Sequence, residues 1–387
     1  MKVNKICVFI LAFALVLLTM FASYGTAFAK EQDYMQTSTA KNEEYTAKAV
    51  CLIDAKSGEV AFAMNEEKRL PVASMTKIMT LLVIFDEINK GTLNFEDTVV
   101  PSINAQNMGG SQVFLEAGGE YKVKDLMTAI AVASANDACV ALAEHIAGSS
   151  DGFTDLMNER AKALGMTNTH FANCTGLPAP DGYSSAKDMC IAMRELIKNE
   201  QYFELAKIWM TDIVHPKDRI TSISNTNKLL KRGIGVDVGK TGFTAEAMHC
   251  ITASAKKGEE RYIACVIGAS ASKTRFDECE KLLNYGFANF ESRAILSANA
   301  EISETCPVLR GKIENVSVYP ERSYYAFTKK RTPPKEEIKY YFNEVKAPVK
   351  KGDKVGEAVV YKDGVEVDRI NLLATTDVDR KGFFGIF

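Results

Sequence analysis

Runs of apolar residues, alternating in some places and helically spaced in others, divide the chain into elements. Val50 to Asp54 and Val60 to Met64 read as two strands around Lys56-Ser57-Gly58, a hairpin turn. After Ser74, the residues Ile78, Met79, Leu81, Leu82, Val83, Ile84, Phe85 and Ile88 form a helix that is apolar nearly all round, which predicts burial. Met189, Ile191, Ala192, Met193 and Leu196 mark an amphipathic helix, with Ser184 as its expected N-cap. Helical spacing persists to about Leu205. Strands return near Val236–Lys240, 247–254 and 261–268, and a helix from about Arg275 to Phe290 closes this part. Strands at both ends with helices between predict one α+β domain, residues 45–294, on a mainly antiparallel sheet.

From about Ser297 the texture changes to short alternating runs broken by turns, as in Val359-Val360-Tyr361-Lys362-Asp363-Gly364-Val365-Glu366-Val367. Asp363-Gly364 is a strong hairpin signal. Residues 295–375 are therefore expected to form a second, all-β domain, with 376–387 as a short tail. At the other end, Lys2 and Lys5 precede the uncharged run Ile6 to Phe21 and the small-residue exit Ala27-Phe28-Ala29. That reads as a secretory signal peptide, residues 1–29, cleaved before Lys30. The run is short for a spanning helix, which argues against a retained anchor. Residues 30–44 are polar and read as a flexible leader.

Composition narrows the function classes. Export removes Lys2 and Lys5 and no acid, so the formal charge of the 387-residue chain moves from −2 to −4. A mildly acidic chain without basic clusters gives no reason to expect nucleic acid. Of nine cysteines, Cys7 leaves with the signal, and the rest are too sparse for a disulfide scaffold. One pair stands out. A two-residue turn within Lys256-Lys257-Gly258-Glu259 sets Cys250 opposite Cys265, near enough to bridge. The plainer reading is two small hydrophobes on an inner strand. The four histidines lack metal-ligand spacing, and Gly109-Gly110 with Gly118-Gly119 forms no phosphate-binding pattern, so no metal or cofactor is expected.

The candidate chemistry lies in three short words: Ser74-Met75-Thr76-Lys77, Ser134-Ala135-Asn136 and Lys240-Thr241-Gly242. A serine three residues before a lysine on a helix places hydroxyl and ammonium on one face. That is a nucleophile beside a candidate base, as acyl transfer through a covalent intermediate requires. The S-x-x-K pattern also starts at Ser38, Ser184, Ser254 and Ser270, and S-x-N recurs at Ser102 and Ser297, whereas K-T-G is unique. Context favours Ser74. A lysine at the start of a buried helix is desolvated, so its neutral, basic form becomes accessible.

Leu70-Pro71-Val72-Ala73 leading into Ser74-Met75-Thr76-Lys77, with the other two words, resembles the low-molecular-weight penicillin-binding proteins, the D-alanyl-D-alanine carboxypeptidases. Leu164-Gly165-Met166, Thr175-Gly176-Leu177-Pro178 and Leu282-Leu283-Asn284-Tyr285-Gly286-Phe287 fit too, and the likeness runs from about Tyr45 to about Asp377. The resemblance implies a transpeptidase-like domain, a five-stranded sheet flanked by helices, followed by a β-rich domain. It implies that Ser74 attacks a peptidoglycan stem peptide ending in D-Ala-D-Ala, with Lys77 taking its proton. Ser134 would relay a proton to the leaving amine, Asn136 would hold the substrate amide, and Lys240 would add positive potential. The N–H groups of Ser74 and Phe243 would hold the oxyanion, while Thr241 and Arg275 would bind the terminal carboxylate. β-Lactams would acylate Ser74, and the site would act outside the cytoplasmic membrane. Relatives often end in a membrane-lying helix. Here Arg380-Lys381-Gly382-Phe383-Phe384-Gly385-Ile386-Phe387 is too short for a stable isolated helix, and any peripheral membrane contact rests on this tail.

Three other readings compete. A class A-like β-lactamase needs a glutamate in an E-x-x-x-N context, and Glu195 to Asn199 has that spacing. A β-lactam sensor needs a spanning segment, which the sequence does not offer. A wall-binding protein with a dead site would not need all three words.

Overall fold

The computed structural model describes residues 45–331 and 335–382. The expected signal peptide and leader lie outside these residues, as does the end of the tail. The described chain is α+β, as the sequence predicts.

Strands β1 (Ala49–Asp54) and β2 (Val60–Met64) form the first hairpin. The helical middle begins with a 3₁₀ turn, Ala73–Thr76, that runs into α1 (Lys77–Lys90). Two helices, α2 (Val123–Ala133) and α3 (Asn136–Ala147), meet at Ser134 and Ala135. Helix α4 (Ala186–Leu196) follows. Then come β3 (Val236–Thr244), β4 (Met248–Lys257) and β5 (Glu260–Ala269), and α5 (Ser272–Asn289) closes the unit. The sheet order is β2-β1-β5-β4-β3, antiparallel throughout. β3 is therefore an edge strand.

Both faces of this sheet are covered, because alternate side chains point opposite ways. Val50 and Leu52 of β1 pack with Ile251, Phe276, Leu282 and Leu283, the last three from α5. Cys51 and Ile53 pack on the other face with Met75, Ile78, Met79, Met189 and Met193. Every residue of β1 is consequently buried. Helix α1 has the helical middle around it, and Lys77 to Phe85 are all buried. It stops at Gly91, whose φ of 77° supplies a left-handed cap.

The remainder forms the all-β part. Its largest sheet runs Glu336–Phe342, Lys354–Lys362, Val365–Ala374, Asn315–Pro320, Thr305–Leu309 and Val345–Lys346 in space. Lys362 pairs with Val365 across Asp363-Gly364, both at positive φ, the tight turn that dipeptide favours. Phe290–Leu296 pairs with Tyr324–Lys329, and Phe327 joins the core beneath α5.

Three local expectations need correction. The N-cap of α4 is Ser185, whose hydroxyl accepts the Asp188 N–H, while buried Ser184 hydrogen-bonds Thr169. Cys250 and Cys265 are not opposite each other. The turn is Gly258-Glu259, since Lys257 pairs with Glu260, and Gly258 takes the positive φ that the first turn position requires. Cys265 then faces Thr252, Cys250 falls at a register shift, and both are free thiols. Finally, β3 continues past Lys240 to Thr244.

Candidate active site

The three words meet where the 3₁₀ turn, the α2–α3 junction and β3 converge. Ser74 is on the turn and Lys77 is the first residue of α1. Lys77 Nζ donates to Ser74 Oγ at 3.0 Å, Asn136 Oδ1 at 2.6 Å and the Thr175 carbonyl at 2.6 Å. Three acceptors match the three donors of an ammonium. None of them is a carboxylate, and Lys77 is fully buried. Burial therefore pulls its pKa below the ordinary lysine value, opposed by Cys139, Cys174 and Asp137 nearby.

Ser134 caps α2 in the left-handed region at φ 65°, an uncommon conformation for a residue with a side chain. Its hydroxyl accepts from Lys240 Nζ at 2.8 Å. Lys240, also buried, gives a second hydrogen bond to the Thr241 carbonyl at 3.1 Å. Burial again lowers its pKa well below the ordinary value, with the Lys77 charge adding to the effect.

Asn136 bridges two parts of the site. Its amide oxygen accepts from Lys77, its Nδ2 donates to the Gly109 carbonyl at 2.7 Å, and its backbone N–H donates to the Ser111 carbonyl at 2.7 Å. Gly109-Gly110 thus has a use beyond a turn: a Cβ on Gly110 would come within 2.8 Å of Asn136 Nδ2. Asp137 holds the same loop by accepting the Val113 and Leu115 N–H groups.

Edge strand β3 forms the opposite wall. A Cβ on Gly242 would lie 2.6 Å from the Val72 carbonyl and 3.2 Å from the Met75 nitrogen. Only glycine lets the strand approach the Ser74 turn this closely. Gly242→Ala is expected to displace the strand and slow acylation by labelled penicillin about 100-fold, as misplacement of reacting groups does; a stopped-flow rate like the parent's would show that the contact is slack. Thr241 bonds Thr226 at 2.9 Å through its hydroxyl. Phe243 is exposed and stacks on His249 at 4.5 Å between centroids.

Arg275 comes from the first turn of α5 and donates through Nη1 to the Gly242 carbonyl at 3.0 Å. It is buried, its Nε has no partner among the described residues, and burial lowers its pKa. Among the described residues no carboxylate pairs with it. Lys273, the other cation at this helix start, is exposed and paired with Asp277 at 2.5 Å.

Sequence reasoning missed the Thr175 carbonyl as a Lys77 acceptor and Thr226 beside Thr241. The Thr175-Gly176 match was the available signal: Gly176, at φ 76°, lies so close to Ala73 that a Cβ would meet its carbonyl oxygen at 2.0 Å. Ser184, which also starts an S-x-x-K word, is engaged elsewhere: its hydroxyl hydrogen-bonds Thr169 at 2.8 Å, and Lys187 pairs with Glu67 at the surface. Glu195 also has other partners, Arg160 at 3.1 Å and Lys198 at 2.6 Å. Arg160 in turn pairs with Asp86, nine residues along α1 from Lys77, a rise of about 13 Å.

Comparison with known proteins fits this geometry. Residues 35–271 match the D-alanyl-D-alanine carboxypeptidase family, and residues 290–380 match the penicillin-binding protein 5 C-terminal domain. The chain belongs to the D-alanyl-D-alanine carboxypeptidase family. The D-alanyl-D-alanine carboxypeptidase DacF of Bacillus subtilis (strain 168) is 40% identical over 92% of this chain and 91% of its own. DacC of Escherichia coli (strain K12), with the same family description, is 33% identical over 95% and 91%. Among solved structures, penicillin-binding protein 5 of Haemophilus influenzae superposes with a TM-score of 0.74 at 32% identity, covering 87% of this chain and 98% of that one. As a member of this carboxypeptidase family, the chain is a serine-type peptidase with the low-molecular-weight penicillin-binding-protein fold.

Proposed function

We propose that the chain removes the terminal D-alanine from peptidoglycan stem peptides ending in D-Ala-D-Ala, through an acyl-enzyme on Ser74. One observation carries the reading: a buried lysine, with no carboxylate to hold its proton, donates to Ser74 Oγ at 3.0 Å. When Lys77 is neutral, its lone pair faces the hydroxyl and its two N–H groups keep Asn136 and Thr175. It then takes the Ser74 proton as Oγ attacks the penultimate carbonyl. The oxyanion sits between the Ser74 and Phe243 N–H groups. Ser134 relays a proton to the leaving amine, giving up its own and taking another from the Lys240 ammonium that donates to it at 2.8 Å. Water then releases the acyl group. β-Lactams acylate Ser74 in the same way and deacylate slowly, since Glu195, the lactamase-type candidate, is engaged by Arg160 and Lys198.

All the groups invoked lie within residues 45–294, and the β-rich part, 295–375, supplies none of them. The N-terminal pattern of Lys2, Lys5 and the apolar run supports export to the outer face of the cytoplasmic membrane. There the tail from residue 376 is the segment available for peripheral membrane contact. Purified protein offered an N-acylated peptide ending in D-Ala-D-Ala is expected to liberate free D-alanine. Absence of D-alanine, together with steady hydrolysis of penicillin, would make the chain a lactamase instead.

A further inference from the structure

A groove lies along the path that the acyl-donor chain must take. With the terminal carboxylate at Thr241 and the reacting carbonyl over Ser74, an extended peptide continues along β3 past Phe243 toward Thr244 and Glu246. Two adjoining cavities meet there and share Pro71, Tyr183 and Glu246 in their walls. The narrower reaches inward to Ala73 and Thr76, on either side of Ser74 and Met75. The wider, about 490 Å³, adds Arg69 and Asp181.

The charges in the wider cavity have no ion-pair partner among the described residues. Arg69 stacks on the Tyr183 ring at 4.9 Å, with Nε on Asn168 Oδ1 at 3.2 Å and Nη2 on the Thr167 carbonyl at 3.4 Å. Those neutral contacts fix the guanidinium and leave it without an acid among the described residues. The Glu246 and Asp181 carboxylates likewise have no cationic partner there; Lys48 reaches only the Glu246 backbone carbonyl, at 3.4 Å. The walls are tied together rather than loose. Leu70 and Ser184 exchange backbone bonds of 2.8 and 3.0 Å, and His170 and Tyr183 exchange bonds of 2.9 and 3.0 Å. Pro178 and Pro180 restrict the segment between.

We propose that this groove binds the side chain of the residue preceding D-Ala-D-Ala, and that it is built for a side chain ending in a zwitterion, ammonium and carboxylate on one carbon. The proposal rests on the carboxypeptidase reading and deepens it. Arg69 takes the carboxylate through its fork, and Glu246 with Asp181 takes the ammonium. A bare ammonium satisfies the acids but leaves Arg69 unmatched and repels it. A neutral side chain satisfies none of the three.

The test compares three N-acylated peptides, X-D-Ala-D-Ala, with X as meso-diaminopimelate, L-lysine or Nε-acetyl-lysine. D-Alanine release is measured for the full chain, and each kcat/KM is divided by the same protein's penicillin acylation rate, which corrects for damage to the reaction centre. The diaminopimelyl peptide is expected to exceed the lysyl peptide about five- to tenfold, as paired surface charges allow. Arg69→Ala should bring that ratio to about one, and Glu246→Gln should bring the lysyl and acetyl-lysyl peptides together. Equal turnover of all three by the parent protein overturns the proposal, as does a diaminopimelyl-to-lysyl ratio unmoved by Arg69→Ala. Release from none of the three peptides is a different result, and overturns the carboxypeptidase reading itself.

Discussion

A Lys77→Met variant is expected to lose acyl-enzyme formation by about 100- to 10,000-fold, the usual share of a general base, and to unfold at no lower temperature than the parent chain. The two effects have one cause. Lys77 is buried among Asn136, the Thr175 carbonyl and two thiols, with no acid in contact, so the fold tolerates its charge rather than gaining from it. Methionine fills similar space without a charge to desolvate. For the parent protein, the acylation rate should rise with pH as Lys77 deprotonates, because only the neutral amine accepts the Ser74 proton. Stability follows the same direction. Lys77 and Lys240 both hold lowered pKa values when folded, so the unfolded chain binds more protons between those values and the ordinary lysine value, and stability rises with pH across that window. Labelled penicillin, peptide mapping and calorimetry at several pH values check all of this. An adduct on Ser184, or a Lys77→Met variant that still acylates like the parent, would move the nucleophile or the base elsewhere.

Arg275→Ala is the second large expected effect. A substrate carboxylate must shed water on binding, and Arg275 is a buried cation held beside Gly242 with no acid of its own. Its neighbour Lys273 is already paired with Asp277 at the surface and cannot replace it. Losing one partner of a buried pair typically costs about 3–5 kcal/mol, so turnover of the free-acid peptide should fall about 100- to 1,000-fold or more. A substrate amidated at its C-terminus should be poor for the parent and lose little more in the variant. If both substrates fall equally, Arg275 supports β3 through the Gly242 carbonyl and does not touch the carboxylate.

Much of this was legible in the sequence because burial leaves a pattern. The limits of β2 coincide with the apolar run Val60 to Met64, and Asp363-Gly364 marks a two-residue turn. The site words were legible because side-chain chemistry carries them. Details decided by backbone geometry were hidden. Ser184 and Ser185 are both good caps by type, and only the bridge from Ser184 to Leu70 makes Ser185 the one at the helix start. The Cys265 register depends on which residue takes positive φ, and on a shift near Cys250. The Thr175 carbonyl has no sequence signature, since every residue offers one. Arg275 was placed by resemblance alone, and only the structure shows its contact with Gly242.

The edge position of β3 carries a further consequence. A strand with one unpaired side recruits another strand by its main chain, whatever the side chains are. A peptide ligand adding there would be a temporary sixth strand, and the site would then select fully extended chain ends before any residue is read. The same property exposes the protein to its own copies. Phe243 is 59% accessible on that strand, and the 3₁₀ turn packs against its face at Gly242, leaving the edge itself open. A peptide seated along β3 would cover this template for self-association. Substrate binding and resistance to self-association would then draw on one short length of backbone.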